Sequence, residues 1–283
     1  MPDAPSLTLR QQRLGAELRK LRERAGLTST AAAALLGGPQ SRISNIEAGR
    51  YAVGADRVRT MARNYACVDE AYVEALASMT GARSRGWWLE YQDLLAPGLV
   101  DLAEMEHHAT ALRVAVVIHI PGLLQTPAHA RAVMAESVPP LRPYEIEHRV
   151  SYRVKRQAVL YGESPTPFTA IVHEAALRMG YGGGEVAREQ LDVLLTEGER
   201  GNVNVLVVPF GEASFPASGQ GITYASGPVP QLDTVVLDTD HGCEFHDAQA
   251  QLERYRSVLD RMEARALSPE KSRELIRRIA RDT

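Results

Sequence analysis

Cysteine is scarce. Cys67 and Cys243 are the only two in 283 residues, and two thiols cannot build a disulfide framework or a four-thiolate metal site. Lysine is nearly missing, with 3 residues against 29 arginines. Together with the many alanines, that reads as the mark of a GC-rich bacterial genome rather than of a function. Long apolar runs are absent: none reaches the roughly 18 residues a membrane helix needs. The start, MPDAPSLTLRQQR, lacks a signal-peptide core. A soluble cytoplasmic protein with no membrane partner is expected. No Ser elbow and no paired carboxylates stand out, so neither an enzyme nor a cofactor is expected.

A large net charge is also missing. The balance is −3, which excludes a uniformly basic coat. The distribution says more. Residues 1–66 hold 11 Lys+Arg against 5 Asp+Glu, and residues 67–283 hold 21 against 30, giving +6 and −9. A basic N-terminal part on an acidic body is a local footprint for a polyanion. The length and the 45% hydrophobic content suit two domains with real cores.

What is present centres on residues 28–50, TSTAAAALLGGPQSRISNIEAGR. Thr28 can cap a helix start. The run Ala31 to Leu36 favours helix and ends at Gly37-Gly38, where a left-handed residue closes it. Pro39 suits the first turn of the next helix, expected over Pro39 to Ala48. At 100° per residue, Ile43 and Ile46 point one way, and Gln40, Ser41, Ser44 and Asn45 point the other, with Arg42 at the edge. A polar but uncharged face suits base edges: Gln and Asn for adenine, Arg for guanine, Ser for either partner type. An ordinary solvated face in a small bundle is the competing reading.

QSRISNIEAGR resembles the recognition helix and following turn of Xre-type helix-turn-helix repressors, and the 28–50 block matches without a gap. Three positions depart from that pattern. Ser29 stands where Gln is usual, Ala32 where a large aliphatic is usual, and Gly38 where a β-branched residue is usual. Ser29 can still donate to a phosphate, whereas Ala32 and Gly38 thin the core and loosen the turn.

The flanks carry the same pattern. Arg10 to Ala25 reads as a helix with Leu14, Leu18, Leu21 and Ala25 on one face. Arg10 and Arg13 near its start are phosphate candidates, with a solvated basic helix as the alternative. Arg50 and Tyr51 are phosphate candidates after the recognition helix. Ala55 to Ala66 is a fourth helix, and Asp69 caps a fifth running to about Thr80. The expected division is a disordered tail at 1–8, a DNA-binding domain at 9–80, a linker at 81–86 and a second domain at 87–283. Trp87 and Trp88 either begin the second core or form an interdomain or subunit contact.

The second domain alternates strand-like and helix-like pieces. Strands are expected at Leu112–Ile120, Phe168–Val172, Asn202–Pro209, Gly221–Ala225 and Thr234–Leu237, with another ending near Phe245. Asn202–Pro209 reads as the clearest central strand. Helices are expected at Pro127–Glu136, Pro143–Tyr161, Gly184–Glu199, Ala248–Ala266 and Pro269–Ala280. In the second of these, Ile146, Val150, Val154 and Leu160 form the apolar side and Arg149, Arg153, Lys155 and Arg156 the polar one. The fold class is therefore α + α/β: a five-helix bundle followed by a mixed α/β sheet domain. The blocks Trp87–Tyr91, Leu94–Gly98, Pro121–Thr126 and Val208–Phe210 resemble the C-terminal domain of a large actinobacterial set of Xre regulators, including WhiJ-like and antitoxin-like proteins.

Other clusters carry less. His107 and His108 point about 100° apart on a helix, so with Glu104 and Glu106 they suit a surface better than a metal. His173-Glu174 begins a zincin motif, but Leu177 stands where the second ligand belongs. His241, Cys243, His246 and Asp247 suit a strand and turn with Asp247 as helix cap better than a metal or nucleophile site. Gly180 to Gly184 lacks a phosphate-loop pattern. No metal is expected.

These observations point to a sequence-specific DNA-binding transcriptional regulator. Gln40, Ser41, Arg42, Ser44 and Asn45 would read bases, and Arg10, Arg13, Ser29, Arg50 and Tyr51 would hold phosphates. A homodimer on a palindromic operator of double-stranded DNA follows from the size of one module. The resemblance implies repression controlled through the C-terminal domain by a ligand or by a small protein from a neighbouring gene. The alternative is an antitoxin-like sequestering or ligand-sensing module in which DNA contact is secondary.

Overall fold

The computed structural model describes residues 7–81, 86–212, 219–239 and 241–283. Most of the expected tail (1–6) and of the expected linker (82–85) lies outside the described residues. The chain divides into two compact units, Met1–Trp87 and Trp88–Thr283.

The first unit holds helices α1 (Leu9–Arg24), α2 (Ser29–Leu36), α3 (Gln40–Glu47), α4 (Ala55–Asn64) and α5 (Glu70–Ser78). Thr8, placed in the tail for want of periodicity, caps α1. Its hydroxyl accepts from Gln11 N, and the Gln11 amide oxygen accepts from Thr8 N, both at 3.3 Å, the reciprocal pattern of a capping box. Thr28 caps α2 by accepting from Ala31 N at 3.1 Å. Gly37 closes α2 at φ +67°, and Gly38 N donates back to Ala33 O at 3.1 Å. That return bond is made without a β-branched side chain at 38. Pro39 is the extended N-cap of α3 rather than its first helical residue. Asp69 caps α5 through Tyr72 N at 3.0 Å. Leu18, Ala32, Val58, Met61 and Leu76 are fully covered, so the apolar stripe of every helix meets one core.

In chain order, the second unit holds α6 (Pro97–His108), β1 (Ala111–Val116), α7 (Pro127–Ala135), α8 (Pro143–Arg156), β2 (Phe168–His173), α9 (Glu174–Arg178), α10 (Gly184–Glu197), β3 (Val203–Val208), β4 (Gly221–Ser226), β5 (Thr234–Thr239), β6 (Gly242–His246), α11 (Gln249–Glu263) and α12 (Pro269–Asp282). The six strands form one mixed sheet in the order β3-β2-β1-β4-β5-β6. β1, β2 and β3 are parallel because helical crossovers join them. β4, β5 and β6 follow by short connections and pair antiparallel. Leu112, Phe168 and Val205 face a layer that includes α10 and α12, and Ile222, Val235 and Leu237 face α11.

Several expectations need correction. The apolar run 203–208 is an edge strand, not a central one. It reads as central because its outer side is sealed: Val207 N donates to the buried Ser272 Oγ at 2.9 Å and Val207 O accepts from Leu267 N at 2.9 Å. The first strand stops at Val116, before the turn that leads to Pro121. In α8 the expected faces are partly exchanged. Val154 is exposed, while Arg156 is buried and bonded to Glu106, also buried, because a bidentate ion pair lets a guanidinium occupy a core position. Trp88 is buried within the second unit, with its ring centroid 4.9 Å from that of His107. Asp247 is not the cap of α11; Ala248 takes that place without a side-chain bond.

Candidate nucleic-acid interface

α3 presents the side its periodicity indicates. Ile43 and Ile46 are 1% and 3% exposed, packed toward α1 and α2. Gln40, Ser41 and Arg42 are exposed, and Ser44 and Asn45 half-buried. Gln40 spans the two helices of the hairpin: its amide nitrogen donates to Ser29 Oγ at 3.0 Å and to Ser44 Oγ at 2.7 Å. With both donors engaged, the group Gln40 has left to offer is its carbonyl oxygen, an acceptor that matches an exocyclic amine on adenine or cytosine. Ser29, departing from the longer residue of the related pattern, still closes this ladder.

The position of α3 is set from behind. Gly15 in α1 lies against the last turn of α3, and a Cβ there would meet Glu47 O at 2.5 Å and Ile46 O at 2.7 Å. Only glycine permits that approach. The Arg22 guanidinium grips the Glu47 carboxylate at 2.6 and 2.9 Å and also donates to Leu27 O at 2.6 Å. The two charged side chains are 9% and 6% exposed. One arginine thus ties the end of α1, the turn before α2 and the end of α3. Beyond α3, Asn45 O accepts from Arg50 N at 2.8 Å and Tyr51 N at 3.2 Å, and Gly49 takes φ +73°. This turn brings Arg50 and Tyr51, both exposed, beside the uncharged face.

The basic excess of the first unit is not evenly available. Arg59 is taken up by Glu74 and Asp56, and Arg57 caps α2 through Leu36 O at 2.9 Å. Arg10 reaches Ser78 O. Arg13, expected at a phosphate, has a side chain that is only 10% exposed and pairs with Glu17 at 2.7 Å. Arg42 and Arg50 make no side-chain hydrogen bond or ion pair among the described residues, and both flank the polar face of α3. Glu17 itself is buried, which alone would raise its pKa. The Lys20 and Tyr72 hydrogen bonds and the Arg13 charge outweigh that and hold it below the ordinary value.

Sequence reasoning missed Gly15, Arg22, Glu47, Glu17 and Tyr72 as determinants of this geometry. A glycine inside an otherwise periodic helix was the available signal for close approach at Gly15. The pairing of residues 22 and 47 left no local trace. The other clusters stay apart from any shared chemistry. His173 caps α9 through Ala175 N and Glu174 accepts from Phe210 N. Burial pushes the Cys243 thiol up to about 11, far from a reactive thiolate. Among the described residues no group of three His, Cys, Asp or Glu is placed to hold a metal ion, and no helix is long and apolar enough to cross a membrane.

Two helices joined by a tight turn, the second with an exposed polar face of Gln40, Ser41, Ser44 and Asn45, fit a helix-turn-helix DNA-binding domain, and residues 13–82 match the family model described as a helix-turn-helix domain. That class supports a DNA-binding regulator and points to a non-enzyme. Residues 99–278 match the model described as a domain of unknown function, DUF5753, so the chain belongs to that family. No curated protein and no solved structure matches the chain.

Proposed function

We propose that the chain is a sequence-specific transcriptional repressor of Xre type. The observation carrying this reading is an uncharged, hydrogen-bonding face on α3, flanked by two exposed arginines whose side chains have no partner among the described residues. α3 enters the major groove, where Gln40, Ser41, Ser44 and Asn45 read base edges and Arg42 is shared between a base and a phosphate. Ser29, Arg50 and Tyr51 hold the backbone, with Arg10 beside them, while Arg13 supports the frame through Glu17. Residues 9–80 form the DNA-binding domain, and residues 87–283 regulate and dimerise it in the cytoplasm. A homodimer on a palindromic operator follows. The −9 balance of residues 67–283 suits a basic protein partner, such as the product of a neighbouring gene.

The test is a gel shift on the upstream region of the protein's own gene. The double variant Gln40→Ala, Asn45→Ala keeps its helical circular dichroism and loses selectivity, because each good base contact is worth about 1–3 kcal/mol. Undiminished discrimination by that variant would remove α3 as the reading element. An antitoxin-like sequestering role predicts instead a stoichiometric protein partner whose capture survives the same substitutions.

A further inference from the structure

In the second unit, both ring nitrogens of His129 are buried without a hydrogen-bond partner among the described residues, and the residue is only 3% exposed. Arg153 Nε, from the facing helix, is buried and unbonded as well. Buried polar atoms normally find partners. Three such nitrogens on facing helices leave this region with unused hydrogen-bonding capacity.

The neighbourhood is built with care. The segment Ile120–Thr126 is clamped by three amides. Gln125 donates to Ile120 O, Gln157 to Gln125 O and Gln190 to Leu124 O, at 2.7, 2.7 and 2.8 Å. Thr126 caps α7 by accepting from His129 N at 3.1 Å, which fixes His129 in the first turn. Tyr181 lies edge-on to the His129 ring at 5.7 Å, with its hydroxyl 3.1 Å from His119 Nε2. These elements sit past the carboxyl end of β1, where open α/β sheets place ligands.

Charge is unbalanced here. Arg156 is matched by Glu106. Arg153 bonds only the neutral Gln125 side-chain oxygen and pairs with no carboxylate among the described residues. Asp238, whose charge reaches Arg153 and His119, is exposed. Burial, then Arg156, pulls the Arg153 pKa down to about 10, and burial, then His119 and Arg153, pulls His129 down to about 4. Both shifts are led by burial, and each also carries the repulsion of neighbouring basic groups. At Gly122 a Cβ would lie at ordinary contact distance, 3.5 Å from Arg156 Nη1, 3.7 Å from Arg153 Nε and 4.0 Å from Arg153 Cδ. Both guanidinium groups therefore border the position beside this glycine.

We propose that this site binds a small organic anion through a carboxylate or phosphate group, seated beside Gly122 against Arg153 and Arg156, with His129 and Tyr181 contacting the rest of the molecule. Its role as the effector site rests on the regulator reading above; its existence as a binding site does not.

The test is calorimetry on the full chain with inorganic phosphate and with succinate, against chloride at equal ionic strength. Saturable binding of at least one probe is expected, weakened about tenfold or more by Arg153→Gln through loss of a charge-assisted contact. Gly122→Ala fills the spot at ordinary contact distances, so it keeps the fold and weakens binding similarly. Binding also raises the His129 pKa measured by NMR. Absence of saturable binding for both probes in the wild type, or wild-type affinity in a folded Gly122→Ala protein, overturns the site. The Gln40→Ala, Asn45→Ala variant separates the two proposals. Anion binding unchanged there while selectivity is lost supports both, whereas operator affinity indifferent to bound anion refutes the effector role alone.

Discussion

Replacing Gly15 with alanine sets two physical effects against each other with opposite signs. In a helix interior the exchange normally stabilises by about 1 kcal/mol, because glycine loses more backbone freedom on folding. Here the new Cβ meets backbone atoms, at 2.5 Å from Glu47 O, 2.7 Å from Ile46 O and 2.9 Å from Glu47 C. No side chain can rotate away. Bringing the shortest of these to an ordinary 3.4 Å contact parts α1 from α3 by about 0.9 Å. Overpacking of this kind costs about 1–3 kcal/mol, and a clash with fixed backbone sits toward the upper end, so the net effect is a loss of up to about 2 kcal/mol after the propensity gain. The same displacement moves the carboxylate that Arg22 holds. Native-state hydrogen exchange reads the result locally: protection of the α3 amides should fall about tenfold. Gly38→Ala is the control. It has ordinary φ and nothing within 4 Å, so its effect should stay within about 0.5 kcal/mol. Equal or greater protection in Gly15→Ala would refute the close-approach argument.

Two further outcomes follow from the same frame. Glu47→Ala leaves a buried Arg22 guanidinium with Leu27 O and the half-exposed Glu23 carboxylate at 3.6 Å, and removing one partner of a buried pair costs about 3–5 kcal/mol; a denaturation midpoint for the first unit equal to that of wild type would contradict this. Glu17, with its folded pKa depressed below 4.5, contributes stability that is present above that value and lost as pH falls through the folded pKa. Glu17→Gln should therefore flatten the acid limb of the first unit's stability curve below about pH 4.5, and an unchanged limb would show that Tyr72 and Lys20 do not hold a carboxylate there.

The helical unit was largely legible because its signals are local. Thr28, Gly37 and Asp69 act within a turn of themselves, and the spacing of Ile43 and Ile46 settles which side of α3 is covered. The mixed sheet class also followed from alternating runs. What escaped depends on distant neighbours. Strand order is invisible in NVNVLVVP, because a strand sealed by a loop and one flanked by two strands bury the same residues. Arg156 reads as a solvent residue until Glu106 is brought to it from α6. The ladder Ser29–Gln40–Ser44 needs the hairpin geometry, and Gly15 carries meaning only when α3 lies on it.

The sealed flank of β3 has a consequence for how copies of this chain can meet. Val207 has already surrendered both its donor and its acceptor to residues 267 and 272, so an incoming strand finds that rung of the outer ladder taken. The opposite margin of the sheet is β6. There Glu244, exposed in mid-strand, would stand opposite its own twin in a symmetric antiparallel pairing about that residue. The repulsion of like charges directly across such a pair discourages runaway stacking while leaving the remaining surfaces of the domain free to recognise one another.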